Sequence, residues 1–245
     1  AFSEATREML ASGDFGFTFL NGKPRFDKPI LVYWLQAMSI SIFGQTELGA
    51  RMVSLLAGIV SGWIAALFAC RWSKQAESAL IVFALYGSCL GPLVMRHAAT
   101  ADALLYLWLT ACACCLIESI RLWESGVEVP EALAKAKRYL RLAWVCSAFA
   151  LLTKGLIGLL VPAFIVLGFC MVRRNFKTLS WSFSDAIACF AWLAMGLPWY
   201  VYAYWRFSED FIQGLFGKHH FGRSMQAMEG HTGSWFYTLM MVLIL

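Results

Sequence analysis

Charge is what this chain of 245 residues is short of: only 14% of its residues are Asp, Glu, Lys or Arg, while 60% are hydrophobic. A water-soluble domain of this size has no room to hide so many apolar side chains, and a disordered chain carries far fewer. Proline is scarce, at 6 residues, and the 19 glycines follow no short period, which excludes collagen-like and low-complexity chains. No CxxC pair occurs among the 8 cysteines, so a zinc knuckle or a dithiol redox site is unsupported. Cys70, Cys89, Cys112, Cys114, Cys115, Cys146, Cys170 and Cys189 all lie in or beside apolar runs and read as small buried hydrophobes. His219 and His220 are not in an HExxH arrangement, which leaves an intramembrane metalloprotease without its glutamate. The formal charge of +5 is too diffuse for a nucleic-acid partner and suits loops lying against anionic headgroups.

What remains is a chain whose solvent is a bilayer, with a mean hydropathy of +0.64. Apolar stretches of crossing length run over Leu48 to Cys70, Ser78 to Val94, Ala98 to Ile117, and Ala186 to Ala203. The stretch from Tyr139 to Val172 is 34 residues. One helix of that length would measure about 51 Å against a hydrocarbon core of about 30 Å. Two crossings turning at Thr153-Lys154-Gly155 fit better. With that hairpin, Arg71 and Lys74, the basic residues from Lys135 to Arg141, and Arg173, Arg174 and Lys177 fall on one side, which is then the cytoplasmic one. The expected organisation is an external segment over 1–47, then a bundle over 48–245 of about seven crossings, the last cut short in the run from Trp235 to Leu245. No initiator Met or signal peptide opens the chain, which reads as a fragment lacking a first span and a C-terminal part.

The external side collects residues 1–47, the turn Arg96 to Ala101, the turn at Lys154, and the loop Tyr204 to Ser234. At its start Phe2, Ala5 and Met9 share one helical face, and Glu4, Arg7 and Glu8 another. The run from Ile30 to Phe43 is too short to span and carries Tyr33 and Trp34 near its start, which fits an interfacial helix. Gly44 ends it, and Thr46 is placed to cap the next. An ion pair at the surface explains Asp27-Lys28 cheaply, and a helix cap explains Thr100 or Asp102. Lys154 reads as an interfacial anchor, and Arg96 as a side chain snorkelling to headgroups. Their common side argues for more. A site lined by Lys28, Arg96, Lys154 and Arg223 would hold phosphate, with Asp27 and Asp102 supplying carboxylates for base work or a divalent ion.

Asp27-Lys28-Pro29-Ile30-Leu31-Val32-Tyr33-Trp34-Leu35-Gln36-Ala37, Glu47-Leu48-Gly49-Ala50-Arg51, Thr100-Ala101-Asp102-Ala103-Leu104-Leu105, Leu152-Thr153-Lys154-Gly155, Leu197-Pro198-Trp199-Tyr200 and His220-Phe221-Gly222-Arg223 stand in this order along the chain. In that order they resemble the aminoarabinose transferase (ArnT-like) glycosyltransferases of bacteria, relatives of the protein O-mannosyltransferases in the GT-C superfamily. The resemblance implies an all-α, polytopic transmembrane bundle of GT-C type with interfacial amphipathic helices in its first external loop. It implies an inverting enzyme of the bacterial inner membrane, with its site on the periplasmic side. Such an enzyme moves a sugar from a polyprenyl phosphate to a lipid A-like or other acceptor. Carried over residue by residue, Lys28 is similar to the family lysine on the carrier phosphate, and Asp102 to the acid opening the fourth span; both are expected to be catalytic. Arg96, Lys154, Arg223 and Tyr33 are expected at the phosphate and substrate. Asp27 and His220 resemble the acid and histidine that hold a metal ion, zinc or magnesium, in some relatives. Asp27 stands where Glu is usual, and Ile30 replaces a common second proline. The family's leading catalytic carboxylate would lie just upstream of Ala1.

A transporter or flippase of lipid-linked sugars is the main rival. It would place polar groups near the bilayer midplane and show repeated halves, whereas here the ionisable residues cluster at helix ends and no repeat is found. A purely structural subunit leaves their shared side unexplained.

Overall fold

The computed structural model describes residues 1–126 and 129–215, the side chain of Arg96 excepted. The chain opens with helix α1 (Phe2–Ser12), a two-stranded antiparallel hairpin of β1 (Phe19–Leu20) and β2 (Lys23–Pro24), and helix α2 (Leu31–Phe43). A bundle follows, built from α3 (Glu47–Ser73), α4 (Glu77–Ser88), α5 (Leu90–His97), α6 (Asp102–Ser125), α7 (Pro130–Lys154) and α8 (Ile157–Arg173). It is completed by α9 (Lys177–Ser182), α10 (Ala186–Gly196) and α11 (Pro198–Ile212).

The amphipathic face of α1 is as its sequence requires, with Ala5, Thr6 and Met9 buried. Thr46 caps α3, its side chain accepting from the Gly49 N–H at 3.1 Å. Gly44, at φ 77°, ends α2. The long apolar stretch does break into a hairpin: α7 ends at Lys154, Gly155 takes φ 76°, and α8 returns so closely that Ser147 Oγ donates to Gly158 O at 2.8 Å.

One expected crossing is broken, and another is interrupted at a proline while remaining a single apolar stretch of crossing length. The Ser78 to Val94 stretch splits at Cys89, which is extended at φ −62° and ψ 133°. Pro92 has no N–H to donate to the Ser88 carbonyl four residues back, so α4 stops at Ser88. The Ala186 to Ala203 stretch splits likewise, because Pro198 cannot donate to Ala194 and instead opens α11, where a missing N–H costs nothing. That helix runs on to Ile212, well into the segment expected as a loop, with a kink at Ser208 (φ 49°). Neither Thr100 nor Asp102 caps α6, whose N-cap is Ala101 without a side-chain bond.

Interhelical hydrogen bonds fix the directions. Ser54 Oγ donates to Thr100 O at 3.3 Å and Ser61 Oγ to Thr110 Oγ1 at 3.2 Å, so α3 and α6 run parallel. Ser119 Oγ donates to Ala136 O at 2.8 Å while Lys154 pairs with Asp102, so α7 runs back along α6. Arg141 pairs with Asp185 at 3.0 Å and Trp192 Nε1 donates to Ser147 Oγ at 3.3 Å, which sets α10 parallel to α7. One end of the bundle therefore gathers the starts of α3 and α6, the ends of α7 and α10, and the whole of 1–46. The opposite end gathers Arg71, Lys74, Lys135, Lys137, Arg138, Arg141, Arg173, Arg174 and Lys177, the alignment expected from the hairpin. Among the described residues, Glu47–Ser73, Asp102–Ser125 and the stretch Ala186–Leu215 are long and apolar enough to cross a membrane. Their apolar side chains point outward as well as inward, Trp63, Tyr106 and Trp205 being exposed, as lipid-facing residues are. The chain is a membrane protein.

Candidate functional site

At the end that carries 1–46, the first segment is bound to the bundle through aromatic rings. Phe17 is buried against Phe207 at 4.4 Å between centroids, Phe26 at 5.4 Å and Trp199 at 5.9 Å. Trp199 Nε1 also donates to Gly16 O at 3.0 Å. Aromatic pairs of this kind contribute about 0.5–1.5 kcal/mol each beyond their burial, so the approach to α2 is held firmly.

The hairpin turn Asn21-Gly22, both residues at positive φ, is clasped by Glu8, whose carboxylate accepts from the Asn21 and Gly22 N–H groups at 2.7 and 3.3 Å. The chain leaves β2 extended. Arg25 N–H donates to Thr18 O at 2.9 Å, and Thr18 Oγ1 donates to Arg25 O at 3.2 Å. Pro29, buried, keeps Lys28 out of helical geometry, so α2 starts only at Leu31.

On this short extended stretch three charges meet. Lys28 Nζ donates to Asp27 Oδ1 at 2.6 Å and to the Asp27 carbonyl at 3.1 Å, and Arg25 Nη2 donates to Asp27 Oδ2 at 2.8 Å. All three side chains are largely buried, at 11–14% exposure. Two cations against one carboxylate leave a net positive charge in a setting of low dielectric, which is where an anion is held strongly. The Arg25 guanidinium lies 5.4 Å over the Phe2 ring, and Phe2 stacks on Tyr33 at 5.6 Å. Tyr33 is fully buried. Burial pushes its hydroxyl up to about 12, against the pull of Arg25, so it stays protonated as a donor.

The second group is the ion pair of Asp102, in the first turn of α6, with Lys154, the last residue of α7. Each complements the dipole of its own helix end as well as its partner. Both side chains are somewhat under one-third exposed. Tyr33 and Ile30 on one side, and Ala101, Leu104 and Leu152 on the other, belong to a single buried cluster, so the two charged groups border one core.

Of the residues expected at the site, the structure thus assembles Asp27, Lys28 and Tyr33 in one place and Asp102 with Lys154 in another. Tyr33 reaches the site from inside the core, not from an open surface. Arg223 and His220 lie outside the described residues, as does the side chain of Arg96. Among the described residues no three His, Cys, Asp or Glu side chains converge on a point that could hold a metal ion. Both Asp27 oxygens are engaged by cations, Oδ1 by Lys28 and Oδ2 by Arg25.

Arg25 escaped the sequence reading, although its signal was present: residues i and i+2 of an extended chain share a face, which puts Arg25 beside Asp27. A further missed contact is the ion pair of Arg206 with Asp14 at 2.8 Å, which ties α11 to the loop after α1.

Comparison with known proteins places these features in context. The chain matches the dolichyl-phosphate-mannose-protein mannosyltransferase family over residues 1–212. It is 27% identical, over 99% of its length, to the undecaprenyl phosphate-alpha-4-amino-4-deoxy-L-arabinose arabinosyl transferase of Edwardsiella ictaluri, and covers 42% of that protein. It is 30% identical, over 96% of its length, to the transferase of the same name from Yersinia enterocolitica, covering 41% of it. Among solved structures it is similar to ArnT from Cupriavidus metallidurans bound to undecaprenyl phosphate, with a TM-score of 0.83 and 25% identity over 99% of the chain and 42% of that protein. The apo form of the same enzyme aligns with the same TM-score at 24% identity. The chain spans about two-fifths of the length of these relatives.

Proposed function

This chain belongs to the dolichyl-phosphate-mannose-protein mannosyltransferase family, and from that premise we propose that it forms the donor-phosphate-gripping portion of a bacterial inner-membrane glycosyltransferase. The enzyme moves a sugar from a polyprenyl phosphate to a lipid A-like or other acceptor on the periplasmic side, with inversion. The observation that carries this reading is the net positive cluster of Arg25, Asp27 and Lys28, seated on an aromatic core at the end of the bundle opposite the basic residues. The relatives named for undecaprenyl phosphate-linked aminoarabinose transfer, and the similar enzyme bound to undecaprenyl phosphate, support it. The density of Lys and Arg at the other end supports a cytoplasmic placement for that end.

As the bond between the sugar's anomeric carbon and the phosphate oxygen breaks, negative charge grows on the leaving polyprenyl phosphate. Lys28, held in place by Asp27, stabilises that charge, and the surrounding apolar wall keeps water from screening it. Asp102 fixes Lys154 at the rim of the same core, where the ammonium attracts the anionic head of the donor. A phosphate acceptor attacks without losing a proton, whereas a hydroxyl acceptor needs a carboxylate to take one.

The test uses the intact protein reconstituted in vesicles with a polyprenyl-phosphate-linked sugar and lipid A. Covalent attachment of sugar to the acceptor is expected, and Lys28→Ala should lower the rate by about 10²- to 10³-fold, the usual loss for one stabilising donor, with folding and insertion unchanged. Near-normal turnover by Lys28→Ala would remove Lys28 from the mechanism. Sugar that crosses the bilayer without becoming attached would make the protein a flippase.

A further inference from the structure

We propose that Arg25 stands in place of a divalent ion at this site, its guanidinium acting beside Lys28 as the second cation that receives the phosphate of the polyprenyl-linked donor. The assignment rests on the transferase reading above. A metal ion at Asp27 would need a carboxylate oxygen at about 2.0–2.2 Å, yet Oδ1 is taken by Lys28 at 2.6 Å and Oδ2 by Arg25 at 2.8 Å. An added double charge would sit against two fixed cations in a largely buried setting, where repulsion is weakly screened. The positive charge is already built into the chain.

Arg25 is also shaped and held for the task. Its backbone is bonded to Thr18 in both directions, and its guanidinium rests on the Phe2 ring, so little freedom is lost when an anion arrives. One nitrogen of its planar fork is spent on Asp27. Its Nε, and the Tyr33 hydroxyl close by, are buried without a hydrogen-bond partner of good geometry among the described residues. Buried donors left unsatisfied are costly, and a phosphate oxygen satisfies both at once, Arg in the forked geometry that phosphate favours.

The experiment measures binding of undecaprenyl phosphate to the intact, detergent-solubilised protein by tryptophan fluorescence, with metal content read by mass spectrometry before and after chelation. Expected are no stoichiometric divalent ion and an affinity unchanged by chelator. Arg25→Ala should weaken binding roughly 10- to 100-fold, the range for a lost charge-assisted bond. Arg25→Lys should recover part of the loss, and Arg25→Gln, which keeps a donor for Asp27 but no charge, little of it; thermal midpoints report folding separately. One metal ion per chain whose removal abolishes binding would overturn the assignment. So would Arg25→Gln binding as the wild type does. Failure of the wild type to bind undecaprenyl phosphate would instead overturn the transferase reading, so the two failures are distinct.

Discussion

Substituting Gly158 tests the geometry that carries Lys154 to the site. A Cβ at Gly158 would lie 2.7 Å from Leu151 Cα, and closer still to the Leu151 nitrogen and the Ala150 carbonyl carbon, all backbone atoms that cannot swing aside. Ordinary contact begins at 3.4 Å, so α7 and α8 must part by at least 3.4 − 2.7 = 0.7 Å. The two closer atoms require a larger parting still, so the bond from Ser147 Oγ to Gly158 O lengthens from 2.8 Å to beyond 2.8 + 0.7 = 3.5 Å, past the outer edge of a hydrogen bond. Overpacking costs about 1–3 kcal/mol and the lost bond about 1 kcal/mol more, so Gly158→Ala should destabilise by about 2–4 kcal/mol. Gly168, on the same helix, is the control. A Cβ there meets nothing within 4 Å, so Gly168→Ala should be stabilising by about 0.5–1 kcal/mol through helix propensity alone. Denaturation of the purified protein in detergent reads both. Equal effects of the two substitutions, or a neutral Gly158→Ala, would refute the close approach of α7 and α8 and with it the placement of Lys154.

The Asp102–Lys154 pair should show coupling in a double-mutant cycle of Asp102→Asn and Lys154→Met, about 1 kcal/mol for a partly exposed pair; additive effects would show that the two do not meet. Asp14 gives a pH signature. The hydrogen bond from Arg206 holds its carboxyl below the usual value, helped by the Gly16 and Phe17 N–H groups and opposed by partial burial. A depressed folded-state pKa contributes stability that is present above the unfolded value of about 3.9 and is lost as pH falls through the folded one. Asp14→Asn should therefore lower the thermal midpoint at pH 7, and the difference from wild type should close in acid below that folded value. A gap that persists there would mean the ion pair is not the source.

Much of this was legible in the residues. The apolar runs placed α3 and α6, the length of the Tyr139 to Val172 stretch required the turn at Gly155, and Thr46 and Gly44 marked real helix ends. The breaks at Cys89 and Leu197 were legible too, but only by asking which carbonyl each proline leaves without its N–H; hydropathy alone runs straight through both. The ion pair of Asp27 with Lys28 was legible in their adjacency, whereas Arg25 was overlooked because a charge two residues away matters only once the chain is known to be extended there. The partnership of Asp102 with Lys154 spans 52 positions, and no local pattern announces it: each looked like a helix-end residue with a task of its own. Tyr33 drew notice as an interfacial aromatic, yet its place under Phe2 depends on how α1 packs over α2.

The carrier phosphate is expected at the end of the bundle holding Arg25, Lys28 and Lys154. Photocrosslinking the intact protein with a polyprenyl phosphate bearing a reactive group beside its phosphorus, followed by peptide mapping, tests this most directly. Adducts are expected within residues 25–33, 100–104 and 151–155. Adducts confined to residues 71–74, 135–141 and 173–177 would contradict the account.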